Sequence, residues 1–237
     1  MPINILGKVF MAYSNLRKTD MSVEQEVAKF LDKSLYQRKD IFTNVIRNYN
    51  EETQFKGQDI TFSIPKLGFT NIVVDEKAQT DYIGNPRPSF VLELSFLNYL
   101  GNVQKGWFVD EDNQTDFYLF IWINKAKKTS FVKEEDIEEI EFCLVNKNKL
   151  KFFFENQNYN VQQLIKKSEE IRKNGIFGPL EQNVNPHFFF YYTEHKMEKP
   201  INIVVRKHVY LNLADLSGTV CRDYINRVFH INLYRSI

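Results

Sequence analysis

The chain has little cysteine and no excess of either charge. Only two of its 237 residues are cysteine, Cys143 and Cys221, and their wide separation excludes a CxxC zinc site and a disulfide-stapled scaffold. The 31 Lys and Arg nearly balance the 30 Asp and Glu, which excludes the strongly basic surface of a histone or nucleoid protein. We therefore expect a reducing, cytoplasmic location, and any nucleic-acid surface must be a local basic cluster.

Long apolar runs are also missing from the sequence. No stretch approaches the length that spans a bilayer, and no early segment joins a basic start to an apolar run. We therefore expect a soluble, unprocessed protein without a membrane partner. Apolar residues still make up 43% of the chain, which is enough to bury one sizeable core and a small second lobe.

Two segments show the periodicity of amphipathic helices. The first begins at Ser22, which heads a capping box. The apolar face of this helix consists of Val23, Val27, Phe30, Leu31 and Leu35. The second is a charged helix over 161–173, which Gly175 ends.

Other segments have the residue patterns of β-strands. The alternating run 59–64, the turn 65–68 and the run 71–77 predict a β-hairpin. Residues 90–96 and 117–123 are apolar at nearly every position, which predicts central strands covered on both faces. The further predictions are a hairpin made by 140–145 and 150–154, and strands at 188–192 and 201–205.

The first hairpin carries charged residues that should converge. Alternate side chains of a strand share a face, so Asp75 and Lys77 point one way and Glu76 points the other. A turn centred near residue 67 brings Asp59 opposite Val74 and Asp75. The hairpin therefore predicts two carboxylates and one ammonium group in one place.

Two adjacent carboxylates repel each other unless a cation lies between them. A hard divalent ion with oxygen ligands relieves this repulsion and leaves positions for water and phosphate. We therefore predict a Mg²⁺ site, with Mn²⁺ as a substitute, at Asp59 and Asp75. Lys77 would orient a water molecule and neutralise a phosphate group, which is the chemistry of phosphodiester hydrolysis.

The pattern of Asp59, a hairpin turn and then Asp75-Glu76-Lys77 resembles that of the PD-(D/E)XK nuclease superfamily. The resemblance covers about residues 20 to 123 and implies an α/β fold with a mixed central β-sheet flanked by helices. It also implies a catalytic glutamate from the preceding helix, for which Glu24 lies nearer than Glu26 to the apolar face. One departure is that 98–116 contains two glycines and a polar run where the superfamily has a crossover helix.

Several alternatives remain open at this point. Asp59, Asp75 and Lys77 would also suit a solvated hairpin face with a surface ion pair. Glu93, within an apolar strand, is either a further metal ligand, a partner of Lys77 or a member of a structural pair. Two basic clusters suit either phosphate contacts or a solvated face, namely Lys125, Lys127 and Lys128, and Arg206 and Lys207.

The predicted function is Mg²⁺-dependent hydrolysis of double-stranded DNA, with a Type II restriction endonuclease as the first choice. The predicted domains are a nuclease core over 1–130 and an α+β region over 131–237 for DNA binding or dimerisation, which could be continuous with the core. A homodimer is expected because a double-strand break needs two acidic centres. The alternatives are a structure-specific or repair nuclease of phage or mobile-element origin, and an inactive nucleic-acid-binding protein.

Overall fold

The computed structural model describes residues 23–129 and 131–234, which form a mixed α/β protein. The predicted capping residue Ser22 lies outside this range. The α-helices are α1 (23–33), α2 (Glu51–Gln54), α3 (Lys147–Glu155), α4 (Val161–Asn174) and α5 (Lys207–Leu213). The strands are β1 (Thr43–Arg47), β2 (Ile60–Ile64), β3 (Phe69–Ala78), β4 (Ser89–Leu97), β5 (Val103–Lys105), β6 (Phe117–Ala126), β7 (Ile137–Asn146), β8 (Gly178–Leu180), β9 (Phe188–Tyr192), β10 (Ile201–Arg206), β11 (Leu216–Asp223) and β12 (Val228–Leu233).

The larger sheet has seven strands in the order β1-β2-β3-β6-β7-β11-β12 and curls into a half-barrel. The predicted hairpin is confirmed as β2 and β3, which pair antiparallel with Ile60 opposite Val74. A 3₁₀ turn at Pro65–Leu67 joins them, and Gly68 ends it in the left-handed conformation at φ 74°, which glycine adopts without strain. β3 pairs with β6 in parallel, so the sheet is mixed.

Strand β6 lies in the middle of this sheet and is buried on both faces, as predicted. Leu119 and Ile121 point into the main core, where Phe30 and Leu31 of α1 pack. On the other face, Phe120 packs against Tyr210 with ring centroids 4.3 Å apart. A strand covered on both faces has no room for polar residues, which explains its continuous apolar run.

The second sheet has five strands in the order β5-β4-β10-β9-β8. The prediction that 90–96 is covered on both faces is wrong, because Phe90 and Leu92 are buried while Val91 between them is 43% exposed. β4 pairs antiparallel with both of its neighbours, and an antiparallel sheet can leave one face open to solvent.

The structure corrects the predicted hairpin of 140–145 and 150–154. The first run is part of strand β7, whereas the second lies in helix α3. Leu150 and Phe154 are buried and Phe152 is 62% exposed. Positions four residues apart share a helix face, so the run of phenylalanines follows helical spacing and was misread as a strand. The predicted charged helix is confirmed as α4, with Asn160 as its cap and Gly175 at its end.

The chain forms two compact units, each built from several segments. One contains Ser89–Glu111 and Lys151–Val209, and the other contains Asp112–Leu150 with the described parts of Ser22–Pro88 and Tyr210–Ile237. The predicted boundary at residue 130 divides the chain into two continuous regions. The seven-stranded sheet crosses this boundary, because β7, β11 and β12 follow it while β1, β2, β3 and β6 precede it. Within the described residues, no helix has the length and apolar character needed to cross a membrane.

The helical structure of residues 150–154 can be tested with two phenylalanine variants. Replacing the buried Phe154 by alanine should cost about 3–5 kcal/mol of unfolding free energy, the usual range for a buried phenylalanine. The matched change at the exposed Phe152 should stay within about 0.5 kcal/mol. Urea unfolding of both variants measures the difference. Similar large losses in both would indicate a strand, in which positions 152 and 154 share one face.

Candidate active site

The backbone and side chain of Asp59 are both held at the start of β2. Its N–H donates to Val74 O at 3.1 Å, and its carbonyl accepts from Asn48 N at 2.9 Å. Its Oδ2 accepts from the backbone N–H of Glu76 at 2.7 Å. One of these hydrogen bonds comes from Asn48, just after β1, and the other two join Asp59 to β3. Together they orient the carboxyl group toward β3.

Asp75 and Lys77 lie beside Asp59 on β3, and these three residues are called the acid centre here. Lys77 Nζ lies 2.8 Å from Asp75 Oδ1, with side-chain exposures of 25% and 2% respectively. Because Asp75 is buried, the alternative of a solvated hairpin face with a surface ion pair is wrong. Within the part of the chain that the structure describes, Asp75 Oδ2 is buried without a hydrogen-bond partner.

Burial and the charges of neighbouring groups determine the protonation of the acid centre. Burial, followed by the negative charge of Asp75, raises the pKa of Asp59, while the positive charge of Lys77 lowers it, and the net result is a pKa of about 8. Burial lowers the pKa of Lys77, but the charges of Asp75 and Asp59 outweigh it and raise the pKa overall. Near neutral pH, Asp59 therefore holds a proton and Lys77 keeps its charge.

The structure distinguishes between the two glutamates of α1. The negative charge of Glu24 is among the causes that raise the pKa of Lys77, so Glu24 lies within electrostatic reach of the acid centre. Glu26 binds Lys29 at 2.6 Å and accepts from the backbone N–H of Glu134 at 2.8 Å. Glu26 is therefore engaged with Lys29 and Glu134, and the assignment of Glu24 to the site stays a prediction.

Glu76 points away from Asp75, as the alternation of a strand requires, and contacts residues that the sequence did not single out. Its carboxylate accepts from Tyr36 Oη at 2.6 Å and from Arg47 Nη1 at 2.7 Å. Arg47 also binds Asp32 of α1 through Nε at 2.8 Å. We call Asp32, Tyr36, Arg47 and Glu76 the arginine network. The residues that bond to one another in this network are 15 to 40 positions apart in the sequence, so no local pattern indicates them.

Tyr118 is a further residue at the acid centre that sequence reasoning missed. It is the register partner of Asp75 across the parallel β3–β6 pair, and its side chain is fully buried. Burial raises the pKa of Tyr118, and the charge of Asp75 contributes in the same direction. The available signal was its place in the apolar run 117–123.

The remaining predicted site residues belong to other segments of the chain. Glu93 is on β4 of the five-stranded sheet, so its role as a metal ligand stays a prediction. Lys125 pairs with Glu139 at 2.9 Å, and Lys127 lies 4.6 Å from the ring centroid of Tyr224. Lys128 is exposed at the end of that cluster. Arg206 lies over the ring of Phe189, and Lys207 begins α5.

The donor set of the acid centre fits a magnesium ion. Among the described residues, no group of three or more His, Cys, Asp and Glu side chains could hold a metal ion. Mg²⁺ does not need such a group, because it commonly binds through one or two carboxylates and completes its shell with water and substrate phosphate. The buried, unbonded Oδ2 of Asp75 beside Asp59 meets that requirement.

The raised pKa of Asp59 predicts a pH effect on stability in the metal-free protein. The unfolded chain releases this proton at about pH 4, whereas the folded protein keeps it to about pH 8. Between these values the unfolded state binds fewer protons, so stability falls as pH rises and levels off above pH 8. Asp59→Asn removes this loss and should raise the Tm at pH 8 relative to the wild type, by roughly 2–4 °C for each kcal/mol of stability regained.

Calorimetry in EDTA from pH 5 to 8.5 measures this effect. Asp40→Asn is the matched control, because Arg38 holds the pKa of Asp40 low, at about 2. Its Tm difference from the wild type should not grow with pH over this range. An Asp59→Asn profile parallel to that of the wild type would contradict the assignment.

Protein families, curated proteins and solved structures are three sources of comparison for this chain. None of them contains a match.

Proposed function

We propose that this protein is a Mg²⁺-dependent nuclease that hydrolyses DNA phosphodiester bonds at the acid centre. The observation that carries this proposal is the buried pair of carboxyl groups: the Asp75 side chain is 2% exposed, and its Oδ2 has no hydrogen-bond donor in the described residues unless Asp59 is protonated. A buried unpaired oxygen of a charged group costs several kcal/mol. A divalent cation between Asp59 and Asp75 would remove that cost.

The residues around this position suit a phosphodiester substrate. Asp75 and Asp59 would hold the ion, which would supply positive charge for the phosphoryl oxygens and a water molecule of lowered pKa. Lys77 keeps its charge and would donate to a phosphate oxygen or to the attacking water. Glu24, which acts electrostatically on Lys77, would orient that ammonium group.

The order of elements supports the resemblance to the PD-(D/E)XK superfamily. Helix α1 carries Glu24, the β2–β3 hairpin carries the acid centre, and a crossover connection then leads to the parallel strand β6. The departure expected from the sequence is present: residues 79–116 contain a 3₁₀ turn at Thr80–Tyr82 and strands β4 and β5, but no α-helix.

Within this class, a Type II restriction endonuclease that acts in the cytoplasm as a homodimer on double-stranded DNA remains our first choice. One chain carries one acid centre, and cutting both strands at one site needs two, which a closed two-fold pair supplies. Lys127 and Lys128, which are exposed, are the proposed phosphate contacts of the first basic cluster. Lys125 would first have to leave Glu139.

Two other functions would give different results in the same experiments. A structure-specific or repair nuclease would need the same acid centre but would cut branched DNA or DNA ends in preference to one short sequence. An inactive nucleic-acid-binding protein would bind DNA without cleaving it. Sequencing of the digestion ends separates the first from a restriction endonuclease, and a binding assay identifies the second.

The direct test is cleavage of plasmid DNA with Mg²⁺ or Mn²⁺ and with EDTA. We expect cleavage only with the metal ion. Asp75→Asn should lower the rate by about 100-fold or more, because it removes a metal-binding charge from a low-dielectric site without much change of volume. Asp40→Asn, an exposed acid in an ion pair with Arg38, is the control and should cleave like the wild type. Undiminished cleavage in EDTA would refute the mechanism.

Glu24 and Glu26 provide a paired test of the helix contribution. Glu24→Gln should lower the cleavage rate about 10-fold or more, the size typical for groups that orient metal-site residues. Glu26→Gln loses part of its bonds to Lys29 and Glu134 and should affect stability more than the rate per folded molecule. Steady-state cleavage together with Tm gives both quantities. The reverse result would assign the site to Glu26.

A further inference from the structure

The arginine network joins three elements on the face of the sheet opposite Asp75. Arg47, at the end of β1, directs Nε and Nη2 to the carboxylate of Asp32 at 2.8 Å each. It also directs Nη1 and Nη2 to Glu76 at 2.7 and 3.1 Å. The side chains of Arg47 and Glu76 are only 10% and 9% exposed. Such a doubly forked arginine has one orientation, because its donors lie in a rigid plane.

The same residues hold the backbone that positions the acid centre. Glu76, whose side chain binds Arg47, donates its backbone N–H to Asp59 Oδ2 at 2.7 Å. Asn48, the neighbour of Arg47, donates its N–H to the carbonyl of Asp59 at 2.9 Å. A shift of Arg47 would therefore move both the backbone and the carboxyl anchor of Asp59.

The network also holds the helix that carries Glu24. Asp32 is near the end of α1, and Tyr36, which follows the helix, donates to Glu76 Oε1 at 2.6 Å. Burial raises the pKa of Tyr36 well above its usual value, and the charge of Glu76 adds to this, so the phenol stays a donor. The position of α1 along β3 is thereby fixed, and Glu24 on α1 stays within reach of Lys77.

We propose that Arg47 is a positioning residue of the acid centre, which sets the Asp59 carboxyl and Glu24 around the metal site from the opposite face of the sheet. This inference rests on the proposed function in one respect, which is that Asp59 and Asp75 hold a metal ion. Arg47 contacts neither metal nor substrate and acts through Glu76, Asn48 and α1.

The expected effect of removing the fork is a looser metal site in a folded protein. Arg47→Lys keeps the charge but cannot bind two carboxylates through parallel bonds. Supporting partners of metal ligands typically change metal affinity 10- to 100-fold, so the Kd for Mn²⁺ should rise at least about 10-fold. Glu76→Gln should have a similar effect. Arg47→Lys added to Glu76→Gln should cause little further loss, because both changes break the same connection.

The experiment is titration of Mn²⁺ into DNA-free protein by calorimetry, with Tm and plasmid cleavage measured on the same samples. Arg38→Lys is the matched control, since Arg38 makes a similar fork to Asp40 on the protein surface. Its Mn²⁺ affinity should equal that of the wild type. Tyr36→Phe removes a single bond of the network and serves as a milder variant if Arg47→Lys does not fold.

The outcomes separate this inference from the proposed function. A weaker Mn²⁺ affinity in folded Arg47→Lys or Tyr36→Phe, with an unchanged control, supports the positioning role. A lower Tm with wild-type Mn²⁺ affinity would show that the network is merely structural and overturn the inference. Mn²⁺ binding without DNA cleavage in the wild type would refute the nuclease proposal alone. A wild type that binds no Mn²⁺ would refute both.

Discussion

The register of the β2–β3 hairpin is the constraint on which the candidate site depends. Ile60 stands opposite Val74, and both are buried in the main core. Because side chains alternate along a strand, this places Asp75 and Lys77 on the opposite face and returns Glu76 to the core side. A slip by one residue would bury Asp75 among aliphatic side chains and expose Val74. The hydrophobic core therefore specifies the position of the charged groups indirectly.

The acid centre is the part of the fold where local stability and proposed function conflict. Protonation of Asp59 near neutral pH relieves repulsion between the carboxyl groups and allows a hydrogen bond between them, but with both groups ionised Oδ2 of Asp75 has no hydrogen-bond donor in the described residues. The ion pair with Lys77 engages only Oδ1 of Asp75, so the buried Oδ2 is the atom that a ligand would stabilise. Positions at which a sequence disfavours its own fold are where a ligand is most reasonably sought.

The features predicted correctly from sequence are those with a local signal. The hairpin, α1 and α4 follow from alternation, helical spacing and caps, and the approach of Asp59 to Asp75 follows from the hairpin turn. The phenylalanine-rich stretch of α3 was misread because a short apolar run suits either period. The two units and the arginine network depend on contacts between distant segments, such as Arg47 with Glu76. Nothing in the neighbouring sequence distinguishes Arg47 from a surface arginine.

The connection between β3 and β6, residues 79–116, contains no α-helix. This feature concerns the path of the chain between the two strands and not the acid centre. A parallel β3–β6 pair requires a crossover connection, and here that connection supplies β4 and β5 of the second sheet. Asp59, Asp75, Lys77 and Glu24 all lie on or beside elements that precede this connection, whereas β6 pairs with β3 after it. Tyr118 of β6 is the first described contact of Asp75 that follows it. A change in how the chain travels from β3 to β6 therefore leaves the geometry of the acid centre intact, provided that β6 returns in the same parallel register. The chemistry proposed for the acid centre depends on residues of the β2–β3 hairpin and α1, so it does not require a helix in this connection.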